Sequence, residues 1–499
     1  MPVAKTSGFI ERHGLWSNEQ ETAADAVRSG LDDLDMIRMS WPDQHGLLRG
    51  RSLTAAALLS ALDDGFEVTM APFALDVAND IVFNPFIPGG GFGLPELSGC
   101  PNLIMVPDPT TFRTLPWAPR TGWVLADLYL RDGRPFPFAP RSILKRAVDA
   151  LRDEGYEFIA GLEVEWYLTR IVDPMLQPVQ LGGPGNPAEP PEVMPVAHGY
   201  SYLLESHRDE LDALIEPLRH NLLGLGLPVR TIDDEWGPGQ LETTFEVLPG
   251  LEAADAMVLF RTVTKQVYRR LGYLATFMCQ PAIPSFCASG WHLHMSLADR
   301  NTGENAFTPT DETEPLSPVG SHFVGGVLER AVAASVFTTP TVNGYRRRRA
   351  FSLAPDRATW GFDNRAAMIR IIGSGPGDKA AHVENRVGEP AANPYLYLAA
   401  QVTAGRDGIK HKIDPPPMSD EPYAQTDRAL LPVTLWEAVE VLRNDPFYRK
   451  QFGDAFIDYL VMMKENEVRR FRNSVPIEEG AGMPAEVTPW EHREYFELF

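Results

Sequence analysis

Three strand-like segments of this chain each carry two ionisable residues at positions two apart. The pairs are Glu163 with Glu165, His292 with His294, and Glu384 with Arg386. Because side chains alternate between the two faces of a strand, both members of each pair point to one face. Burying unpaired charges costs several kcal/mol, so these strands need counter-charges on that face. Each pair alone fits a solvated strand face or a surface ion pair equally well.

A tight turn adds two more glutamates to this set. In DDEWGPGQLETTF, Glu235 and Glu242 flank a Gly-Pro-Gly turn that lets the chain fold back and bring both carboxylates into one pocket. The alternative for Glu235 and Glu242 is a loop with acidic residues at its solvent-exposed rim. For the histidines, a structural role is the alternative, because a lone histidine is more often structural than a metal ligand. Five glutamates and one histidine form a mostly oxygen-donor set, which suits Mg²⁺ or Mn²⁺ better than zinc. The six candidate ligands, enough for two ions, are Glu163, Glu165, Glu235, Glu242, His292 and Glu384.

Positive charge is concentrated in one stretch of the chain. NGYRRRRAF holds Arg346–Arg349, and WGFDNRAAMIR holds Arg365 and Arg370. A basic run usually marks a solvated face or a nucleic-acid surface. The formal net charge of −22 argues against nucleic acid or an anionic membrane as a partner. Guanidinium groups hold carboxylates and phosphates in bidentate geometry, so metals and arginines together indicate phosphoryl transfer.

The length and the element pattern indicate a multidomain α+β fold. A chain of 499 residues exceeds one ordinary core, and the prolines of DGRPFPFAPR place a boundary near residue 135. Strands and helices alternate irregularly, which favours α+β over a doubly wound fold. The Pro/Gly-rich stretch 84–120 predicts loops. Long helices are expected over 205–224, 252–272, 318–338 and 452–472.

Three features predict a cytoplasmic protein. The three cysteines form no CxxC pair, and their odd number leaves at least one free thiol. The N-terminal stretch MPVAKTSGFIERHGLW has no apolar segment of the kind found in signal peptides. No run of 18 or more apolar residues occurs.

The order of these segments resembles the glutamine synthetase superfamily. The matching segments are PDP, LPW, LEVEWYL, DEWGPGQLE, ATFM, SGWHLHMSL, NGYRR, WGFDNR, ENR and NPYLYLAA. The resemblance implies a small N-terminal β-grasp-like domain (1–135) and a large catalytic domain (136–499) with a curved antiparallel sheet flanked by helices. It also implies a homo-oligomer, a dodecamer of stacked rings, in which neighbouring subunits share each active site. The implied substrates are glutamate, an amine and ATP, and the implied cofactor is Mg²⁺ or Mn²⁺, two or more ions per site.

The resemblance further implies roles for individual residues. The metal nearer the substrate matches the ligands Glu165, Glu235 and Glu242, and the metal on the phosphate side matches Glu163, His292 and Glu384. Glutamate is held at positions matching Arg347 and Arg386, beside Glu165. The transferring phosphoryl group and the nucleotide meet positions matching Arg365, Arg370, His294, Ser296 and Lys379.

Two further matches concern the incoming amine. Asp43, in WPDQHG, matches an aspartate that is donated across the subunit interface and helps to deprotonate ammonium. Tyr200, in HGYSY, matches a residue of the same pocket. The implied reaction has two steps: the γ-carboxylate attacks ATP to give γ-glutamyl phosphate, and the amine then displaces phosphate.

Three positions depart from the family pattern. The flap after Arg347 has Leu353 where the family has a glutamate of the ammonium pocket. Cys287-Ala288 replaces an Asn-Gly pair that holds the amino-acid end of the substrate, and His382 replaces an arginine that contacts the nucleotide. Ammonium is a cation, whereas an aniline-like amine is mostly neutral at pH 7 and fits an apolar slot. The hypothesis is therefore a γ-glutamyl amide synthetase for an apolar, aniline-like amine.

Three alternatives stay open at this point. The chain could be an ordinary glutamine synthetase that uses ammonia, with the carboxylate role of position 353 filled elsewhere. It could be a non-catalytic member of the fold with a structural or sensing role. Because Cys287-Ala288 falls where the amino-acid end should be held, the acid could also differ from glutamate.

Overall fold

The computed structural model describes residues 7–373, 375–477 and 483–499. The first six residues of the N-terminal stretch considered above lie outside the described residues. No helix within these ranges is long and apolar enough to cross a membrane. The α-helices are α1 (Phe9–His13), α2 (Asn18–Ser29), α3 (Ala55–Asp64), α4 (Pro140–Asp153), α5 (Glu205–Gly224), α6 (Gly250–Arg270), α7 (Pro318–Glu329), α8 (Ser335–Thr338), α9 (Pro394–His411), α10 (Leu435–Asn444), α11 (Pro446–Phe452), α12 (Asp454–Ser474) and α13 (Pro489–Tyr495).

A mixed sheet forms the N-terminal part of the molecule. Its strands are β1 (Met36–Pro42), β2 (Leu48–Leu53), β3 (Phe66–Thr69), β4 (Asn102–Pro107), β5 (Arg113–Thr114) and β6 (Thr121–Tyr129). The order is β2-β1-β6-β4-β3, with β5 paired to β6. β1 and β6 run parallel, and β1 and β2 form an antiparallel pair. The turn between β1 and β2 carries Asp43, whose backbone N–H donates to the carbonyl of Leu47.

A larger sheet of ten strands follows. Its strands are β7 (Tyr156–Asp173), β8 (Glu192–Pro195), β9 (Val229–Asp234), β10 (Gln240–Phe245), β11 (Leu248–Pro249), β12 (Tyr273–Thr276), β13 (Trp291–Asp299), β14 (Trp360–Phe362), β15 (Ile369–Ile372) and β16 (His382–Gly388). The main order is β14-β15-β16-β13-β7-β10-β9, and the three other strands pair with β7. Only β14 and β15 run parallel among the described strand pairs of this sheet. The long strand β7 is therefore its centre.

The register of the large sheet gathers the ionisable residues. Opposed pairs are Glu165 with Glu242, Glu163 with His292, Glu384 with His294, and Glu384 with Arg370. Residues opposed on neighbouring strands share a face of the sheet, and so do residues two apart on one strand. Four strands thus place the candidate ligands side by side, although they come from segments more than 200 residues apart in the chain.

The opposite face of β7 packs on helices. Leu162, Val164 and Trp166 alternate with the two glutamates and are fully buried. The Trp166 ring contacts Phe260 and Tyr268 of α6. Such alternation fixes the register, because a slip of one residue would turn the apolar side chains to the polar face.

A buried ion cluster joins the small sheet to the rest of the molecule. The guanidinium of Arg141, in α4, pairs with Asp108, with Asp127 of β6 and with Asp255 of α6. Removing one partner of such a buried set costs roughly 3–5 kcal/mol. The predicted boundary at residue 135 lies between the two sheets, just before α4. It stays a prediction, because one apolar core continues across both sheets.

The predicted α+β class with a curved antiparallel sheet is confirmed. The helices expected over 205–224, 252–272 and 452–472 are present to within two residues. Two other predictions were wrong. The stretch 84–120 contains β4, because the apolar run Leu103–Val106 pairs with β3 and β6. The helix expected over 318–338 is broken after Glu329, where the Arg330 side chain pairs with Asp407 and stacks on Phe447.

Candidate active site

Glu163 lies at the centre of the polar face. His292 Nδ1 is 2.6 Å from its Oε1, and His294 Nε2 is 3.1 Å from its Oε2. Burial on its own raises the pKa of this carboxyl, but the hydrogen bonds from the two imidazoles outweigh burial and lower it. His292 Nε2 lies 3.3 Å from Arg347 Nη2, so Nδ1 is the ring nitrogen that faces the carboxylates.

The remaining acids crowd one another. Burial raises the pKa of Glu165 to about 7 and, with Glu163, Glu165 and Glu235 close by, that of Glu242 to about 9. The pKa of Glu235 is raised as well, again chiefly by burial. Arg347 only partly offsets the effect at Glu165. Carboxylates that are buried together need cations beside them, which a pair of divalent ions supplies.

Two groups of ligand atoms have spacings suited to a metal ion. In each group one atom per residue lies within 4.8 Å of the others. One group is Glu163, His294 and Glu384, and the other is Glu163, Glu242 and His292. Glu163 therefore bridges the two groups. The residues present fit the ions expected for this site, but the geometry groups them differently from the division implied by the resemblance, so the ligand assignment stays a prediction.

A glycine makes room for one of the arginines. Arg347 ends the 3₁₀ turn Asn343–Arg347, and its Nη1 donates to the backbone carbonyls of Arg386 and Gly388. A Cβ atom at Gly290 would lie 2.4 Å from Arg347 Nη2. Only glycine at position 290 leaves this guanidinium its place beside His292. The backbone N–H of Gly290 also donates to Glu165 Oε2 at 2.9 Å.

Glu384 is held between two arginines. Arg386 pairs with its Oε1, and Arg370 donates to its Oε2 at 3.1 Å. Burial raises the pKa of Glu384, but the charges of His292 and Arg386 bring it below its usual value. Arg370 also pairs with Asp363. The strand end around Glu384 thus combines a carboxylate with guanidinium groups, as a phosphate-binding metal site requires.

The basic run Arg346–Arg349 does not act as one clamp. Arg346 turns away and forms a buried ion pair with Glu491 of α13. Arg348 is also buried, where it donates to the carbonyl of Pro432 and stacks on Tyr345. Arg347 alone of these three reaches the acidic face. The charge density that the sequence suggested is therefore divided between the site and its structural support.

The residues expected at the nucleotide occupy the same end of the sheet. His294 and Ser296 share the polar face of β13 and are partly exposed. His294 Nδ1 is 3.0 Å from His382 Nε2. Lys379 and Arg365 lie in exposed loops. Nothing in the hydrogen bonding of their side chains fixes a role for these two residues, and both assignments stay predictions.

The residues expected at the amine end lie in loops rather than strands. Leu353 and Phe351 lie in the flap Arg349–Asp356, both exposed and both with positive φ. Tyr200 is half-exposed, packs edge-on against Trp236 at 5.4 Å between ring centroids, and donates to the Ser285 carbonyl. Trp236 directly follows Glu235, whose Oε2 accepts from the Trp236 N–H. Aromatic surface therefore adjoins the acidic cluster.

Asp43 is enclosed within its own chain. Its Oδ1 accepts from the backbone N–H groups of His45 and Leu47, and its Oδ2 accepts from Arg49 Nε at 2.8 Å. Its side chain is fully buried. Three of the roughly four acceptor positions of a carboxylate are thus occupied. Its expected role in the site of a neighbouring subunit stays a prediction.

Comparisons with known proteins decide the family. Residues 137–480 match the model of the glutamine synthetase catalytic domain. The chain is 52% identical over 497 residues to a γ-glutamylanilide synthase of Acinetobacter sp., covering 98% of this chain and 99% of the relative. It is 30% identical over 477 residues to a glutamate–isopropylamine ligase of Pseudomonas sp., covering 95% and 96%. A solved GmaS/ADP complex superposes with a TM-score of 0.72 at 27% identity, covering 92% of this chain and 97% of the other.

The chain belongs to the glutamine synthetase family. It is an ATP-dependent ligase of the glutamate–amine class, which removes the non-catalytic alternative. Glutamine synthetase-like ligases use ATP and divalent metal ions, and the donor set on the polar face agrees with that use. The fold and the family were thus both predictable from the order of motifs.

Sequence reasoning missed Gln240 as part of this glutamine synthetase site. Its Nε2 contacts Glu165 at 3.3 Å and Ser289 at 2.9 Å, and its Oε1 accepts from the Gly237 N–H. It braces the turn between the two carboxylates of DDEWGPGQLE. Its position inside that motif, two residues before Glu242, was the available signal. Trp236 was missed for the same reason, since only the charged residues of the motif were considered.

Proposed function

We propose that this ligase forms the γ-glutamyl amide of an apolar, aromatic amine of the aniline type. The observation that carries the proposal is the character of the flap. Its single acid, Asp356, is held by both oxygens in an ion pair with Arg357. The flap therefore offers an incoming amine Phe351 and Leu353, and no free carboxylate.

The neighbouring loops support the same class of amine. Tyr200 and Trp236 add aromatic surface. The half-exposed Tyr202 lies near the same acids: burial raises its pKa, and the charges of Glu235 and Glu242 raise it further. Aromatic groups pack edge-to-face with favourable energies of about 0.5–1.5 kcal/mol. A neutral aromatic amine can pack on such a surface without the cost of removing water from a charge. A relative named as a γ-glutamylanilide synthase is 52% identical to this chain over 497 residues.

The first chemical step belongs to the strand residues. Arg347 and Arg386 would hold the carboxylates of glutamate, and Glu163, His292 and Glu384 would hold an ion on the phosphate side. When bound, Mg²⁺ or Mn²⁺ neutralises the charge of the transferring phosphoryl group. Arg365 and Arg370 add positive charge beside that group. The γ-carboxylate then attacks the terminal phosphorus of ATP, and ADP leaves.

The second step takes place at the loops. The amine attacks the γ-carbonyl carbon of γ-glutamyl phosphate, loses a proton, and phosphate leaves. An aniline arrives neutral, so no carboxylate is needed to strip a proton before attack. This fits an Asp43 whose carboxylate is already occupied by Arg49 and two N–H groups. We place Asp43 near the active site of a neighbouring subunit in a ring-shaped homo-oligomer, a dodecamer, and the three free cysteines fit a cytoplasmic setting.

Phosphate release from ATP, with glutamate and Mg²⁺ or Mn²⁺, tests the proposal across an amine panel. The panel contains aniline, isopropylamine, putrescine and ammonium at pH 7.5, and mass spectrometry identifies each product. We expect aniline to give the highest kcat/KM and ammonium less than about a hundredth of it. A preference for ammonium would make the enzyme an ordinary glutamine synthetase. No stimulation by any amine would point to another acid.

A further inference from the structure

Two histidines at the phosphate end of the sheet form a pair. His294, on β13, and His382, at the start of β16, have ring centroids 5.1 Å apart, and His294 Nδ1 lies 3.0 Å from His382 Nε2. The other nitrogen of each ring has its own partner. His382 Nδ1 faces the carbonyl oxygen of Ala380, and His294 Nε2 faces Glu163 Oε2 at 3.1 Å. Four groups thus form a chain of contacts that ends at the bridging carboxylate.

The partners fix the tautomers of both rings. The Ala380 carbonyl is an acceptor only, so His382 carries its proton on Nδ1 and donates it there. His382 Nε2 is then a lone pair and accepts the Nδ1–H of His294. The remaining nitrogen, His294 Nε2, donates to Glu163 when the ring is protonated and offers a lone pair beside that carboxylate when the ring is neutral. The neutral form is the one that binds a metal ion.

We propose that His294 is a metal ligand and that His382 is the residue that orients it. The ion would be held by His294 Nε2, Glu163 and Glu384, whose ligand atoms lie within 4.8 Å of one another. A metal-bound imidazole usually donates its other N–H to an acceptor, which sets its tautomer and raises its basicity. His382 Nε2 is that acceptor. The arginine that the family pattern has at this position can only donate, so it could not play this part.

The chemistry of the donors predicts which ion benefits. Imidazole nitrogen is a softer ligand than carboxylate oxygen and favours Mn²⁺, Co²⁺ or Zn²⁺ over Mg²⁺. With His292 already beside Glu163, a second imidazole makes this end of the site richer in nitrogen than a glutamate-only set. The loss of an arginine also removes one positive charge near the nucleotide phosphates, which a more firmly held ion compensates. The inference rests on the two-metal part of the proposed function and is independent of the amine.

Metal binding to the substrate-free enzyme tests the inference directly. Titration calorimetry measures Mn²⁺ and Mg²⁺ affinity for the wild type, H382R and H382F, neither of which can accept the His294 proton. We expect the Mn²⁺ affinity to fall about tenfold or more in both variants, and the Mg²⁺ affinity to change less than about twofold. H382Q keeps an acceptor oxygen and should stay near the wild type. H411F, at an exposed helix end outside the site, is the matched control.

A spectroscopic measurement separates ligation from a general structural effect. Pulsed EPR of bound Mn²⁺ detects coupling to imidazole nitrogen. With one Mn²⁺ on the His294 group and one on the His292 group, we expect two sets of imidazole couplings in the wild type and one set in H294N. A single coupling in the wild type, or equal losses of Mn²⁺ and Mg²⁺ affinity in H382R, would overturn the inference. Neither readout involves the amine, so a failed amine panel would leave this result interpretable.

Discussion

The two ends of this active site are built in different ways. At the phosphate end, Glu163, His292 and Glu384 lie on paired strands, are half-buried or buried, and have their positions set by strand register. At the amine end, Tyr200 and Leu353 lie in loops, are 52% and 65% exposed, and both have positive φ. Backbone hydrogen bonds between strands fix the positions of the three strand residues, whereas loop conformation fixes those of Tyr200 and Leu353.

This difference in construction corresponds to two tasks, phosphoryl transfer and the choice of amine. Phosphoryl transfer depends on positioning and charge neutralisation, which a rigid sheet supplies. In the proposed function, the choice of amine depends on a few side chains in loops that can change without disturbing the sheet. Two of the three expected departures from the family pattern, at Leu353 and Cys287-Ala288, fall in loops. The third, His382, lies at the first residue of a strand.

The largest effect is expected from Glu163→Gln at the phosphate end. The substitution removes the charge that His292 and His294 share and the ligand common to both metal groups. We expect phosphate release with every amine to fall by about a thousandfold or more, since charge stabilisation is the main catalytic term. E246Q, at an exposed acid on the strand edge, serves as the control. Activity above a tenth of the wild type would contradict the bridging role.

Leu353→Glu should change the amine end alone. It restores a carboxylate to the flap, which attracts a cation and disfavours an apolar ring. We expect the ratio of kcat/KM for ammonium to that for aniline to rise by about 10–100-fold, with little change in the KM for ATP. L353M keeps an apolar side chain and should leave the ratio within about threefold. An unchanged ratio in L353E would show that the flap does not select the amine.

Gly290→Ala probes the position of Arg347, which we propose binds a carboxylate of glutamate. The added methyl group would lie 2.4 Å from Arg347 Nη2 and 3.0 Å from His292 Nε2, so the guanidinium must shift. We expect the KM for glutamate to rise about tenfold, while the preference for aniline over ammonium stays as in the wild type. Gly183→Ala, where no atom lies within 4 Å of the added Cβ and φ is not positive, gives a loop control without a clash. A changed amine preference in G290A would mean that the two ends are not separable.

A smaller effect concerns stability and the turn that presents Arg347. Glu389 is buried and accepts from the Thr341 N–H and hydroxyl, and burial raises its pKa to about 7. Between about pH 4.5 and 7 the folded protein therefore binds more protons at this site than the unfolded chain, so stability falls as pH rises. We expect E389Q to lose this pH-dependent contribution. Between pH 5.5 and 7.5 the Tm of E389Q should therefore fall about 3 °C less than the Tm of the wild type. An equal change of Tm with pH in E389Q and the wild type would contradict the role given to Glu389.

Much of the phosphate end was predictable because strand periodicity carries it. Pairs of ionisable residues two apart, such as Glu163 with Glu165, fixed a common face before any strand pairing was known. The Gly-Pro-Gly turn brought Glu242 opposite Glu165. What periodicity could not provide was the direction of each arginine. Arg346 leaves the run for Glu491, 145 residues further along the chain, because burying it there completes an ion pair.

Long-range contacts also explain the other misses. The apolar run of β4 lies among prolines and glycines, and only its pairing with β3 and β6 makes it a strand. The occupied carboxylate of Asp43 depends on Arg49 folding back across the β1–β2 hairpin. The effect of His382 on the tautomer of His294 depends on a carbonyl group two residues away. None of these follows from residue type and spacing alone.

A direct competition between two amines tests the central claim. The wild-type enzyme is supplied with ATP, glutamate and Mn²⁺ together with equal concentrations of aniline and ammonium, and the two products are quantified by mass spectrometry. The ratio of products gives the ratio of kcat/KM values without any assumption about saturation. The account predicts that γ-glutamylanilide exceeds glutamine by at least about a hundredfold. An excess of glutamine would contradict this claim and would show that the enzyme is an ordinary glutamine synthetase despite the apolar residues of its flap.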